Sequence, residues 1–251
     1  MNAGVASYTT TALASGTRTL TAAFTPAANT SLTSTSAPVS VQVKPAGIAV
    51  DQSVTATGTG SVTTAHLSTT GPALLVAYVG SDGPATKQTT TVTGAGLTWT
   101  LAQRANAKGG TAEIWTAYAT APLTNATITS TPRTGGYAQL LTVEVFTGAS
   151  GVGAGAVASK AGGTPTVNVT TTTANSWVFA VGEDYTRATT ITPGPNQSVL
   201  RLTQDTVNGD TFWVQEQNST TPVAGTKVTT NDTAPIGDTW NLAAIEIIPA
   251  S

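Results

Sequence analysis

Hydrophobic and polar positions alternate over short stretches of this chain, and each stretch is closed by Gly, Pro, Asn or Asp. A period of two is what a strand shows when one face is buried, and no segment combines a 3.6-residue period with helix caps. Near the N-terminus the pattern predicts strands at Ala6–Thr10, Thr17–Phe24 and Val39–Val43, with Leu20, Ala22 and Phe24 on one face. Lys44-Pro45-Ala46-Gly47 reads as a linker, because Pro removes a backbone donor and Gly loosens the chain. The expected layout is a partial domain over 1–43, a linker over 44–47 and a larger block over 48–251.

The larger block carries a diverged internal duplication. Leu74–Asp82 parallels Trp177–Asp184, Gly110–Trp115 parallels Gly209–Trp213, and Gly136–Val145 parallels Asp238–Ile247. The copies are placed at about 48–149 and 152–251. Each offers enough strands for a sandwich, so the block is either two consecutive sandwiches or one jelly-roll-type sandwich with pseudo-two-fold symmetry. The short connection Phe146–Val152 favours a single two-part unit, with Gly151-Val-Gly-Ala-Gly155 as a flexible joint. The fold class expected is all-β throughout.

Two stretches of text are familiar. Gly4-Val-Ala-Ser-Tyr8, Leu13-Ala-Ser-Gly16, Arg18-Thr-Leu-Thr-Ala-Ala-Phe24 and Ser34-Thr-Ser-Ala-Pro38 resemble the C-terminal half of a bacterial immunoglobulin-like repeat. Gly96-Leu-Thr-Trp-Thr100, Ala112-Glu-Ile-Trp115 and Gly209-Asp-Thr-Phe-Trp-Val214 resemble an uncharacterised module that follows such repeats in secreted actinobacterial-type proteins. The resemblance implies an immunoglobulin-like partial domain and an extracellular, secreted or cell-surface setting. It implies no chemistry.

Composition agrees with a secreted β protein. Charged residues are 9% of the chain, against roughly 25% in ordinary globular domains. Thr, β-branched and suited to a pleated sheet, is roughly a fifth. The net charge of −2 and the scattered Lys and Arg give nucleic acid nothing to bind. Without Cys there are no disulfides, thiolate metal sites or Cys nucleophiles. No apolar run of about 18 residues suggests membrane insertion, and an export signal is expected to lie upstream of Met1.

Candidate chemistry is sparse. The lone His66 reads as an outward strand residue, and no G-x-S-x-G elbow accompanies it. Glu144 and Glu246 interrupt apolar strands at apparently equivalent positions, which points to scaffold more than to a glycosidase pair. Asp82, Glu183 and Asp184 follow equivalent strands, with Asp205 and Asp210 nearby in sequence; such loop carboxylates are the hard-oxygen ligands of a structural Ca²⁺. No other cofactor is expected. Strand phase places Trp99 and Trp177 in the core. It places Trp115 beside Glu113 and Trp213 beside Gln215 on a face that would be exposed, with Tyr137, Tyr185 and Trp240 near turns. An exposed aromatic flanked by Glu or Gln stacks a sugar ring and hydrogen-bonds its hydroxyls.

These features predict a non-catalytic extracellular binding or adhesion module whose partner is a polysaccharide or cell-surface glycan. Trp115, Trp213, Glu113, Gln215, Tyr137 and Tyr185 form its expected site. The alternative is a structural spacer or self-assembling surface subunit, a homo-oligomer joined through the incomplete sheet edge of the N-terminal segment. A glycan-active enzyme ranks below both.

Overall fold

A computed structural model of the chain describes residues 9, 13, 16–25, 32–43, 47–85 and 87–250. The chain divides into two compact units, Met1–Ala46 and Gly47–Ser251. Every described element is a β-strand. No helix among the described residues is long and apolar enough to cross a membrane.

In the first unit β1 (Gly16–Leu20) pairs antiparallel with β4 (Val39–Val43), and β2 (Ala23–Phe24) with β3 (Ser34–Thr35). The single strand expected over Thr17–Phe24 is thus broken at Thr21–Ala22. Leu20, Phe24 and Val39 are exposed. The strand expected at Ala6–Thr10 and the linker residues Lys44–Ala46 fall outside the described residues, apart from Thr9.

The second unit repeats one eight-stranded pattern. The first copy contains β5 (Ala49–Thr59), β6 (Val62–Thr63), β7 (Ala73–Ser81), β8 (Thr90–Gly94), β9 (Thr100–Ala105), β10 (Thr111–Ala119), β11 (Ile128–Pro132) and β12 (Ala138–Thr147). The second contains β13 (Ala149–Ala161), β14 (Thr166–Thr170), β15 (Trp177–Asp184), β16 (Thr192–Pro193), β17 (Gln197–Asp205), β18 (Asp210–Gln217), β19 (Lys227–Ala234) and β20 (Thr239–Pro249). The five-stranded sheets run β5-β12-β7-β10-β9 and β13-β20-β15-β18-β17, and the three-stranded sheets β6-β11-β8 and β14-β19-β16. Within each copy this is the interleaved order of a jelly roll, with the fifth strand moved to the edge of the larger sheet.

Three apolar interiors result. Leu75, Ala77, Val79, Ile128 and Val143 fill the first sandwich, and Val167, Val178, Trp213, Leu242 and Ala244 the second. Tyr78, Ile114, Phe146, Phe179, Phe212 and Ile245 fill a third layer, where the two five-stranded sheets pack face to face. Phe179 is its centre, with ring centroids 5.0 Å from Phe146 and 6.1 Å from Tyr78. A strand covered on both faces has no polar side to show, which is why all nine residues of β7 are buried. Each copy therefore closes as a sandwich, and the two are fused through their large sheets.

The copies are related by a pseudo-two-fold. Arg201 of β17 reaches across to the hydroxyls of Ser53 and Thr55 on β5. At the other edge Gln103 of β9 lies against Gly155 of β13, where a Cβ would overlap its amide. Gly151–Gly155 is therefore not a flexible joint. It belongs to the edge strand β13, whose register shifts there, and a Cβ on Gly153 would strike the Glu246 carboxylate.

Strand pairing corrects two equivalences read from the sequence. Glu144 pairs with Val76, which faces the inter-sheet layer, whereas Glu246 pairs with Val178, which faces the second sandwich. The two carboxylates sit on opposite faces. Glu246 accepts from the Ala154, Thr172 and Thr173 amides and the Thr172 hydroxyl; burial pushes its pKa up, but these donors outweigh burial and hold it below the ordinary value. It ties β20 to the turn after β14. Likewise Trp213 pairs with Gly182, while in the first copy Glu113 pairs with Val79. Trp213 thus stands where Glu113 stands, and Gln215 where Trp115 stands. Gly182 makes room for this exchange, since a Cβ there would overlap the Trp213 indole. Gly182→Ala is expected to cost ~1–3 kcal/mol by overpacking, read as a lower urea midpoint; an unchanged midpoint would mean that the indole can move aside.

Candidate functional site

The aromatic platform expected on the surface lies inside. Trp213, Glu113 and Gln215 are each 0% exposed, because β10 and β18 turn this face toward the three-stranded sheet of their own sandwich. Trp115 is half-buried and packs against the first interior, donating Nε1–H to Glu113 Oε2 at 2.8 Å. Trp213 Nε1–H donates to Gln215 Oε1 at 2.6 Å. Glu113 also accepts from Arg104 Nε at 2.7 Å and from the Thr90 amide and hydroxyl at 2.9 and 2.8 Å. These residues are polar networks of the core. Trp240, placed near a turn, is likewise buried and donates Nε1–H to the Gly163 carbonyl. Trp99 and Trp177, expected in the core, are packed against it and partly buried. His66 is exposed, with Nδ1 3.0 Å from the Asn125 carbonyl.

Tyr137 and Tyr185 meet at one end of the fused sandwiches. They line an open cavity of about 460 Å³ with Asp82, Pro84, Asn208 and Asp210. Each copy contributes. Asp82 follows β7 and Tyr137 precedes β12, whereas Tyr185 follows β15 and Asn208 and Asp210 belong to the β17–β18 hairpin. Two reciprocal arms build this end. The β9–β10 turn of the first copy lies against Tyr185, at Gly109, and accepts the Asn241 amide through the Gly109 carbonyl. The β17–β18 hairpin of the second copy lines a second open cavity with Gly58, Ala138 and Gln139 of the first.

The hairpin is shaped by Asp205. Its Oδ1 accepts the Val207 amide at 2.9 Å and its Oδ2 accepts Asn208 Nδ2 at 2.7 Å, an Asx-type turn completed by Gly209 at φ 88°. The turn brings Asp205 and Asp210 beside Asp82, with one oxygen of each within 4.8 Å of the others. Asp82 and Asp210 are buried. Burial, then the charges of Asp82 and Asp205, push Asp210 up to about 7. Burial also raises Asp82, against the Gly83 amide that donates to its Oδ1. Asp205 is held below the ordinary range, first by Asn208. Burial and the neighbouring Asp82 and Asp210 raise the Tyr185 phenol.

Of the five carboxylates named as cation ligands, Asp82, Asp205 and Asp210 form this cluster, and Glu183 and Asp184 do not join it. Glu183 runs between the large sheets, where burial raises it well above the ordinary range and Asn241 Nδ2 donates to it at 2.8 Å. Asp184 accepts the Thr186 amide at 2.8 Å, and burial raises it to about 7 beside Asp238. Asp238 is held low by Arg187, which grips it through Nε at 2.7 Å and Nη2 at 2.5 Å. Strand pairing explains why Glu183 and Asp184 stay apart from Asp82. Ser81, not Asp82, is the counterpart of Asp184, since they pair with Thr111 and Thr211 in turn.

Comparison with known proteins finds no matching family model, no matching curated protein and no matching solved structure.

Proposed function

We propose that the chain is a non-catalytic extracellular binding module that takes polysaccharide in the cavity at the loop end of the fused sandwiches. The observation that carries this reading is the meeting of two tyrosines with Asp82, Asp210 and Asn208 around one open cavity. Phenol rings offer an apolar face to a pyranose, and carboxylate and amide oxygens accept from its hydroxyls. The Thr-rich, charge-poor composition supports the extracellular setting.

Calorimetric titration with soluble cellulose, chitin and xylan oligosaccharides tests the reading. Binding of one of them is expected, and Tyr185→Ala is expected to weaken it about tenfold, the loss of ~1.4 kcal/mol of ring contact. Absence of binding to all three, or affinity unaffected by both Tyr185→Ala and Tyr137→Ala, would remove this cavity as the sugar site.

A further inference from the structure

We propose that Asp82, Asp205 and Asp210 together bind one Ca²⁺ ion, and that this ion clamps the two sandwich copies to each other. The inference shares Asp82 and Asp210 with the cavity of the polysaccharide reading, but its test adds the metal without sugar, so either can fail without the other. Three features carry it. One oxygen from each carboxylate lies within 4.8 Å of the others. A Ca²⁺ ion with ligands at ~2.3–2.6 Å spans at most about 5 Å between opposed oxygens, so all three reach one centre with shifts of no more than a few tenths of an ångström (about 0.2 Å).

The second feature is an orphaned atom. Asp210 is 2% exposed, lines the cavity, and its Oδ2 has no hydrogen-bond partner. A buried carboxylate oxygen without a donor costs free energy unless a cation supplies the missing charge. The charges that bear on Asp210 are those of Asp82 and Asp205, both negative. A cation, or a proton shared with Asp82, supplies what this carboxylate lacks.

The third feature is preorganisation. Asp205 is held by the Val207 amide and the Asn208 side chain. Asp82 is held by the Gly83 amide at 2.5 Å. Each carboxylate oxygen keeps a lone pair beyond these bonds. The adjoining cavity leaves room for the water ligands that complete a six- to eight-fold shell. An all-oxygen donor set selects a hard cation over zinc or copper. Because Asp82 belongs to the first copy and Asp205 and Asp210 to the second, bound metal joins the two where the β17–β18 arm crosses.

The test uses the whole chain, stripped with EDTA and titrated with CaCl₂ at pH 8 by calorimetry. One site is expected, with Kd of ~0.1–1 mM, the range of extracellular modules. At ten times Kd the melting temperature should rise by about 3–6 °C. Asp210→Asn and Asp205→Asn should each weaken binding at least tenfold. Asp51→Asn, an exposed carboxylate on β5, should leave it unchanged. Asp210→Asn removes a buried unpaired charge, so without metal it should melt no lower than the parent, which shows that the variant folds. No heat and no melting shift up to 10 times the upper Kd expected (~10 mM) would overturn the proposal. So would Asp210→Asn binding as tightly as the parent, or tighter binding of Mg²⁺ than of Ca²⁺.

Discussion

Replacing Glu113 with alanine is expected to remove ~3–5 kcal/mol of folding stability, the usual cost of breaking a buried ion pair from one side. Glu113 is 0% exposed and gathers donors from four residues. Arg104 reaches both its oxygens at 2.7 and 3.1 Å, and the Thr111 hydroxyl and the Trp115 indole add bonds at 3.1 and 2.8 Å. Thr90 donates through both its amide and its hydroxyl. Alanine leaves the Thr90 amide and the Trp115 N–H without acceptors, and Arg104, with 27% of its side chain exposed, regains only part of its hydration. Urea unfolding at pH 7 measures the loss. The double variant Glu113→Leu with Arg104→Met removes both charges and most of the demand for partners, so it is expected to recover most of that loss. A Glu113→Ala loss below ~1 kcal/mol would show the pair to be no stronger than a surface one.

The same position shows what the sequence could tell and what it could not. Alternation identified the strands, and the apolar runs at Leu140–Phe146 and Leu242–Ile248 identified central ones, because a strand buried on both faces is apolar at most of its residues. The repeat was visible for the same reason. Its phase was not. Matching Trp115 to Trp213, and Glu144 to Glu246, puts each pair on one face, yet the ladders place Glu113 opposite Val79 and Trp213 opposite Gly182. A one-residue slip along a strand reverses the face, and two residues exchange neighbours on the same face. Gly182 was the available signal. A glycine in the middle of a strand marks a close approach, and here the approaching group is an indole.

All three carboxylates of the loop-end cluster were named among five candidates, but which of the five would meet was not legible. The cluster is asymmetric, whereas the repeat pattern displays what the copies share. The counterpart of Asp82 is Tyr185: their amides donate to Ala138 and Thr239, which open equivalent strands. The counterpart of Asp210 is Gly110, against which the Glu183 carboxyl packs. Duplication built the scaffold twice, and divergence at these few positions made the two ends of the pseudo-symmetric arms chemically different. Tyr137 and Tyr185, named from their turns, were legible because turns at one end of a sandwich converge whatever the strand phase.

Asp232 sets how stability should depend on pH. It lies on β19 inside the second sandwich, 1% exposed, and neither carboxylate oxygen has a hydrogen-bond partner. Burial pushes its pKa up to about 8, against the neighbouring Gln215. A folded-state value above the unfolded one means that folding favours the protonated form. Its contribution is complete below the ordinary carboxylate range near pH 4 and is lost as pH rises through about 8. At ~1.4 kcal/mol per unit the loss from this group is on the order of 5 kcal/mol between pH 4 and pH 9. Glu216, raised to about 7 by burial and by Glu144, acts in the same direction. Asp238 and Glu246, held low, act oppositely, but their change is finished once pH passes the ordinary carboxylate range. Urea midpoints of the metal-free chain are therefore expected to fall from pH 5 to pH 9 (~4 units spanning these titrations). Asp232→Asn mimics the protonated form. It should match the parent at the acid end and exceed it at the alkaline end, and equal pH slopes for parent and variant would show that Asp232 is ionised in the fold at no cost.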